Sequence, residues 1–494
     1  MANGKDQLLE RIRQHEHLDT ADQLRLTVLL SVPAMLAQVS TILMFYIDDA
    51  MVGSLGAQAS ASIGLVATSL WLFWSIISCV STGFSVQVAH RIGANDFEGA
   101  RAVLRQSILV AMVISGITMA VGAAIAFRLP YWIGGDETIS PAAGEYFFIF
   151  MLGAPLAMLS MLMNAMLRAT GNMKIPSIAS VLMCVLDVAF NFIAIFPTRD
   201  ICIDLSQFTI LNSQLSTLNS QLSTFNSPFT LTIPGMGLGV TGAAVGSLLA
   251  EAVVAAWVTW YAVSQSREIR LVGHAGSFRP QRTVMAKAGD IAGPILLQRV
   301  LMNAAQITIT IIVAPLGAIA IAANVLGITA ESLCYMPGYG IGEAATTLVG
   351  QSIGAGRQRL TQRFAWMTTM LGIAVMTLMG AIMYMAAPLM MATLTPDAAV
   401  RALGTECLRI EAWAEPMFAA SIVAMSVFVG AGDTRKPAIM NLISMWAVRV
   451  SLAALLAPRY GLQGVWFAMA VELTFRGLIF LARMKWGNWK KAAK

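Results

Sequence analysis

Leu371 to Leu389 reads LGIAVMTLMGAIMYMAAPL, nineteen residues without a charge. At 1.5 Å per residue, a helix of that length matches the roughly 30 Å hydrocarbon core of a bilayer. Leu104 to Phe127 is a second long apolar run, with Arg105 near its start as its one charge. Similar runs fall at 27–47, 59–86, 104–127, 145–167, 176–197, 238–262, 290–312, 320–349, 366–387, 408–429, 438–457 and 463–483. Only 12% of residues are charged against 57% hydrophobic, and the mean hydropathy is +0.71. A soluble domain carries about twice that charge, and this chain has too little to cover a soluble surface. The runs are rich in Ala, Gly and Met, which suits close helix packing in lipid. The sequence therefore predicts an all-α integral membrane fold with twelve transmembrane helices.

Basic residues orient the spans. Of the 32 Lys and Arg, 24 lie in the N-terminal segment, in or near the connections after spans 2, 4, 6, 8 and 10, and in the C-terminal tail. Four lie on the other side: Arg128, Arg199, Arg401 and Arg459. By the positive-inside rule both termini are expected in the cytoplasm. The net charge of +6 is then topological and implies no nucleic-acid partner. Residues 1–26 are polar, with no apolar core of a signal peptide. The five cysteines stand singly, as do the histidines, and neither forms a disulfide framework or a metal-ligand spacing.

The sequence repeats itself at an offset of 261 residues. Pro33 meets Pro294, Leu55–Gly56–Ala57 meets Leu316–Gly317–Ala318, and Ile92–Gly93–Ala94 meets Ile353–Gly354–Ala355. Glu145 meets Glu406, Pro155 meets Pro416, Gly171 meets Gly432 and Pro176 meets Pro437. An even number of spans per half makes the halves two parallel six-helix lobes about an axis along the membrane normal. The domain reading is a cytoplasmic segment 1–26, an N-terminal lobe 27–264, a cytoplasmic linker 265–289, a C-terminal lobe 290–484 and a tail 485–494. After span 5 the offset shortens, leaving an insertion at about 198–234. Within it, Leu211–Thr217 and Leu218–Thr224 both read LNSQLST. Uncharged polar repeats of this kind predict a flexible outer loop.

Ionisable residues inside a span each cost about 2.5–3.5 kcal/mol on insertion scales and call for an explanation. The second half holds Arg299, Arg409, Arg449 and Arg476 against Glu331, Glu343, Glu411, Glu415 and Glu472. These nearly balance and read first as charges locking helices together, with Glu472 and Arg476 spaced to pair on one helix face. Glu331, Glu411 and Glu415 stay as secondary site candidates. The first half has Asp48, Asp49, Asp187 and Glu251 with no Lys or Arg in its span interiors. Unpaired acids in a membrane are protonated, cation-bound or turned to a water-filled cavity. Asp49 has the bland alternative of standing in water at the outer end of span 1. Gly237-x-Gly239-x-x-Gly242 matches a dinucleotide fingerprint but opens an apolar span, not a βαβ unit, and no P-loop occurs.

Several motifs resemble those of multidrug and toxic compound extrusion (MATE) transporters. They are Ile47-Asp48-Asp49-Ala50-Met51-Val52-Gly53-Ser54-Leu55-Gly56, Arg91-Ile92-Gly93-Ala94, and Val349-Gly350-Gln351-Ser352-Ile353-Gly354-Ala355. The paired turns Arg168-Ala169-Thr170-Gly171-Asn172-Met173-Lys174-Ile175-Pro176 and Gly430-Ala431-Gly432-Asp433-Thr434-Arg435-Lys436-Pro437 are similar to that family as well. The likeness covers about 27 to 487 outside the insertion. It implies a secondary antiporter, not an enzyme, that exports amphipathic, cationic small molecules in exchange for H⁺ or Na⁺. It also implies a cation site on Asp48 and Asp187, joined by Ser247, and Asn191 completes the candidate set. Met183 stands where Na⁺ sites often have Asn, and Met302 and Phe418 stand where some members carry C-lobe carboxylates. Fewer oxygens favour H⁺ over Na⁺; no other metal and no cofactor is expected. A lipid or lipid-linked oligosaccharide flippase of the same superfamily is the alternative. The implied partners are a small-molecule substrate and membrane lipids, with the chain a monomer.

Overall fold

Lipid offers no partner to backbone N–H and C=O groups, so each span must satisfy its own as a helix. The computed structural model describes residues 4–203 and 229–491. Span 1 is Thr20–Gly53, span 2 Ala57–Gly93 and span 3 Phe97–Ile125. Span 4 is Ser140–Leu152 followed by Ala154–Ala169, bent by 49°. Span 5 is Lys174–Ile195, and span 6 is Gly239–Trp260 with a π-helical turn to Gln265. In the second half span 7 is Arg282–Val313, span 8 Ala318–Gly354 and span 9 Gln358–Leu394. Span 10 is Ala398–Ala412 followed by Glu415–Gly430, bent by 61°. The remaining helical run, 435–486, has 52 residues, too many for one crossing. It breaks at Gly461, where φ 58° and ψ −142° leave helical space just after Pro458, and so yields spans 11 and 12. Twelve spans thus cross among the described residues. Most outrun their hydrophobic runs by several residues, because hydropathy registers only the turns that lie in lipid.

The halves bend and turn at equivalent places. Pro155 and Pro416 each stand in the first turn of the second segment of a bent span, where a missing N–H costs nothing. Gly56 and Gly317 turn the chain after spans 1 and 7 at φ 109° and 96°, and Gly171 and Gly432 do so after spans 4 and 10 at φ 88° and 75°. A side chain is strained at such angles. Spans 2–6 enclose one core, including Phe84, Met158 and Met166, joined by Val284 and Ala288 at the start of span 7, and spans 7–12 enclose another, including Met383, Trp466 and Leu473.

The lobes meet where span 1 packs on span 8, span 2 on span 7, and span 2 on span 8. At the face carrying both termini this seam is closed and nearly two-fold symmetric. A Cβ on Gly93 would come 2.0 Å from the Gln351 carbonyl oxygen, and one on the equivalent Gly354 would come 2.0 Å from the His90 carbonyl oxygen. His90 Nε2 donates to the Gly430 carbonyl at 2.8 Å, and its equivalent Gln351 donates from Nε2 to the Ala169 carbonyl at 2.8 Å. The polar N-terminal segment holds a helix, Gly4–Arg13, laid across this seam. Its Leu8, Leu9 and Ile12 are buried in one cluster with Met173 of the first lobe and Leu348, Leu360 and Phe364 of the second. Asn95 Nδ2 donates to the Arg13 carbonyl at 3.2 Å and Arg357 Nη1 to the Arg11 carbonyl at 3.1 Å.

The insertion departs from the expected loop at its ends. Pro197–Ile203 (β1) and Phe229–Met236 (β2) pair antiparallel, with Ile203 opposite Phe229. The LNSQLST repeats at 211–224 lie outside the described residues.

Candidate ion site and central cavity

The first-lobe site exists because spans 5 and 6 lie unusually close. A Cβ on Gly242 would come 2.4 Å from the Ala194 carbonyl oxygen, and one on Gly246 would come 2.1 Å from Asn191 Oδ1 and 2.8 Å from its backbone nitrogen. Small residues one turn apart let two backbones touch in this way. The apparent dinucleotide motif is thereby explained: Gly237 and Gly239 turn the chain at φ 65° and 58° into span 6, and Gly242 packs it.

Asn191 is the hub of the site. Its Nδ2 is 3.0 Å from Asp48 Oδ1, 3.0 Å from Asp187 Oδ2 and 3.3 Å from Ser247 Oγ. Asp187 and Asn191 are buried, while Asp48 and Ser247 are half-buried. The Asp48 and Asp187 carboxyl groups also touch each other, and Ser247 reaches Asp187. An amide nitrogen has two hydrogens, so it cannot satisfy three acceptors at once. Asp187 Oδ1 and Asn191 Oδ1 are buried with no hydrogen-bond partner among the described residues. Two carboxylates, an amide oxygen and a hydroxyl thus share a few donors. Such an acceptor-rich pocket balances when a proton or a cation enters it.

The four leading candidates therefore come together on spans 1, 5 and 6. Glu251 stands one helical turn from Ser247 on span 6, within electrostatic reach of Asp187 and in contact with Ser160. Asp49 is exposed and outside the cluster. Glu331, Glu411 and Glu415 form a separate buried group in the second lobe. There Glu411 touches Glu331, Glu415 touches the Cys334 thiol, and Arg449 and Arg476 are near. Glu472 pairs with Arg476 at 3.1 Å, and Ser444 Oγ donates to Glu472 at 2.6 Å, as a helix lock requires.

Between the lobes lies a cavity of about 400 Å³. It straddles the pseudo-two-fold axis, since its walls carry both members of the equivalent pairs Gln38/Arg299, Ser78/Tyr339 and Thr82/Glu343. Met302 and Phe418 also line it, and Asp48 and Asp187 do not. Arg168 Nε reaches Glu343 across the lobes at 3.3 Å, and Gln38 Nε2 donates to Glu343 at 3.3 Å. Sequence reasoning missed Gln38, Arg168, Arg299 and Glu343 as cavity residues. The repeat offset was the available signal: Gln38 with Arg299 and Thr82 with Glu343 are polar in-span positions that are equivalent in the two halves.

Two lobes related by parallel repeat, a buried carboxyl pair and a cavity on the symmetry axis define the class: a two-lobed membrane transporter. The MatE family model matches residues 33–193 and again 294–455, the same 261-residue offset. The chain belongs to the MatE family, whose members are MATE transporters. It is 24% identical over 466 residues to a probable multidrug resistance protein NorM of Thermotoga maritima, covering 94% of this chain and 92% of that one. It is 23% identical to the multidrug resistance protein NorM of Burkholderia vietnamiensis, covering 90% of each. Its fold matches an outward-facing multidrug resistance MATE transporter with TM-score 0.83 at 20% identity, over 99% of this chain and 100% of that one. It also matches a Pyrococcus furiosus MOP superfamily transporter, whose binding pocket has a reverse polarity that suggests a different function. That match has TM-score 0.81 at 19% identity, over 99% of each chain.

Proposed function

We propose that the protein is a secondary active antiporter that exports amphipathic small molecules from a bacterial cell in exchange for H⁺ or Na⁺. The observation that carries this is the donor-poor pocket of Asp48, Asp187, Asn191 and Ser247. A site that needs a positive ion to balance it is affected by whatever changes the separation of spans 1, 5 and 6. Ion binding then shifts the population of lobe conformations, and the linkage is reciprocal. H⁺ is the favoured ion, because Met183 supplies no oxygen where a Na⁺ shell needs one. The relatives named above are multidrug resistance proteins, which favours drug export over the flippase alternative. The resemblance pointed to cationic cargo, but Asp48 and Asp187 belong to the ion pocket and do not line the central cavity, so they carry no argument about the charge it accepts. Both termini are placed in the cytoplasm by the basic residues, and the working unit is a monomer in lipid.

The test is efflux of ethidium and of pyrenebutyrate from cells lacking their own pumps. Asp187→Asn and Asp48→Asn should abolish export against a gradient of whichever probe the wild type exports, at unchanged protein level, while Asp49→Asn should keep most of it. Full export by Asp187→Asn removes the first-lobe acids from the mechanism.

A further inference from the structure

The central cavity is symmetric in position and asymmetric in charge. Gln38 and Arg299 are equivalent, and so are Thr82 and Glu343. Glu343 is the only carboxylate among the residues lining the cavity. It is already engaged, by Arg168 at 3.3 Å and by Gln38 at 3.3 Å. Arg476 is likewise held from behind the wall by Glu472 at 3.1 Å, and its guanidinium lies 5.6 Å from the centre of the Phe418 ring. Arg299 is different. It is exposed to the cavity and has no carboxylate within ion-pair distance among the described residues. One uncompensated guanidinium therefore faces the cavity from span 7.

Around that charge the wall supplies the rest of a binding site. Asn303 lies one helical turn beyond Arg299 on the same span and also lines the cavity. It can add an amide donor beside the guanidinium fork. Met302, Tyr339 and Phe418 give the cavity an apolar and aromatic side. A guanidinium in a partly dry site is matched by a planar two-oxygen anion, which it holds through paired hydrogen bonds. A cationic group placed there meets an unpaired like charge.

We propose that the central cavity binds an amphipathic carboxylate, with Arg299 holding the carboxylate and the Met302–Phe418 side holding the apolar body. This names the cargo class of the antiporter proposed above and rests on that reading for its purpose. Its test does not, because binding is measured without any ion gradient.

The experiment compares three probes with one pyrene body: pyrenebutyrate, its neutral methyl ester, and the trimethylammonium analogue. Affinity for the purified full-length protein in nanodiscs is read by fluorescence. The wild type should bind pyrenebutyrate about tenfold or more tighter than either other probe, the range expected for a charge-assisted hydrogen bond. Arg299→Gln should remove that preference, Arg299→Lys should keep part of it, and Arg299→Glu should move it to the cation. Equal or tighter binding of the cation by the wild type overturns the proposal whatever the variants do, and so does an unchanged preference in a folded Arg299→Gln protein. A protein that prefers the carboxylate but never exports it would refute the export reading and leave this one standing. Export of cations with no carboxylate binding would do the reverse.

Discussion

Asn191 shows how one side chain can set the chemistry of a site. Its Nδ2 faces three acceptors, Asp48, Asp187 and Ser247, while its own Oδ1 lies where a Gly246 Cβ would be. The pocket therefore depends on a residue that offers nothing but the absence of a side chain. Gly246→Ala should push Asn191 off both carboxylates and cost about 1–3 kcal/mol of stability, as overpacking does. A thermal melt of the purified variant would show the loss, and an unchanged melting temperature together with normal coupled export would contradict this picture. The acids themselves were legible in the sequence, because an unpaired carboxylate in an apolar run has few explanations. The role of Gly246 was not, since a glycine in a membrane helix is too common to single out without the neighbouring backbone.

At the scale of elements, the sequence told spans from connections well and their ends poorly. Hydropathy placed all twelve, yet spans 4 and 10 are bent by 49° and 61°, and spans 11 and 12, separate as apolar runs, form one helical stretch broken only at Gly461. Pro155 and Pro416 were legible as a matched pair, and only the structure showed that a bend lies at each. The N-terminal helix Gly4–Arg13 was hidden because its three buried residues, Leu8, Leu9 and Ile12, are too few to register as an apolar run. The insertion was read as a loop from its composition, and the strand pairing of its ends depends on backbone register that composition does not encode. That pairing yields a prediction. Ile203 and Phe229 stand opposite each other, so replacing 204–228 by Asn-Gly should close a two-residue hairpin. Expression and probe efflux should stay within about twofold of wild type, as for an excised surface loop. Loss of efflux at normal expression would show that the insertion takes part in transport.

For the whole molecule, the two-fold repeat explains both the closed seam and the open cavity. At the seam, His90 and Gln351 are equivalent, and each hydrogen-bonds the last turn of a span in the other lobe. If the lobes rearrange as the antiporter proposed above requires, these bonds break, so they set part of the balance between states. His90→Gln should be nearly silent, since Gln351 makes the equivalent bond, to the Ala169 carbonyl, in the other half. His90→Ala leaves the Gly430 carbonyl without its donor, a cost of about 1–3 kcal/mol for a buried group, and should favour opening at the termini face. Maleimide labelling of a cysteine at Ala169, added to a cysteine-free background, should then speed up in His90→Ala but not in His90→Gln. Equal rates would mean that the seam is held by packing alone. Above the seam the same symmetry brings Gln38 to face Arg299 across the axis, while the carboxyl pair sits apart inside the first lobe. The central claim is that this pair couples ion movement to export. It is tested most directly in proteoliposomes, by following H⁺ with an internal pH dye and Na⁺ with a radiotracer as an imposed gradient of pyrenebutyrate or ethidium collapses. Wild-type protein should move one of the two ions in step with the probe, and Asp48→Asn and Asp187→Asn should bind the probe yet move no ion. Probe-driven ion flux through Asp187→Asn equal to wild type would contradict the account.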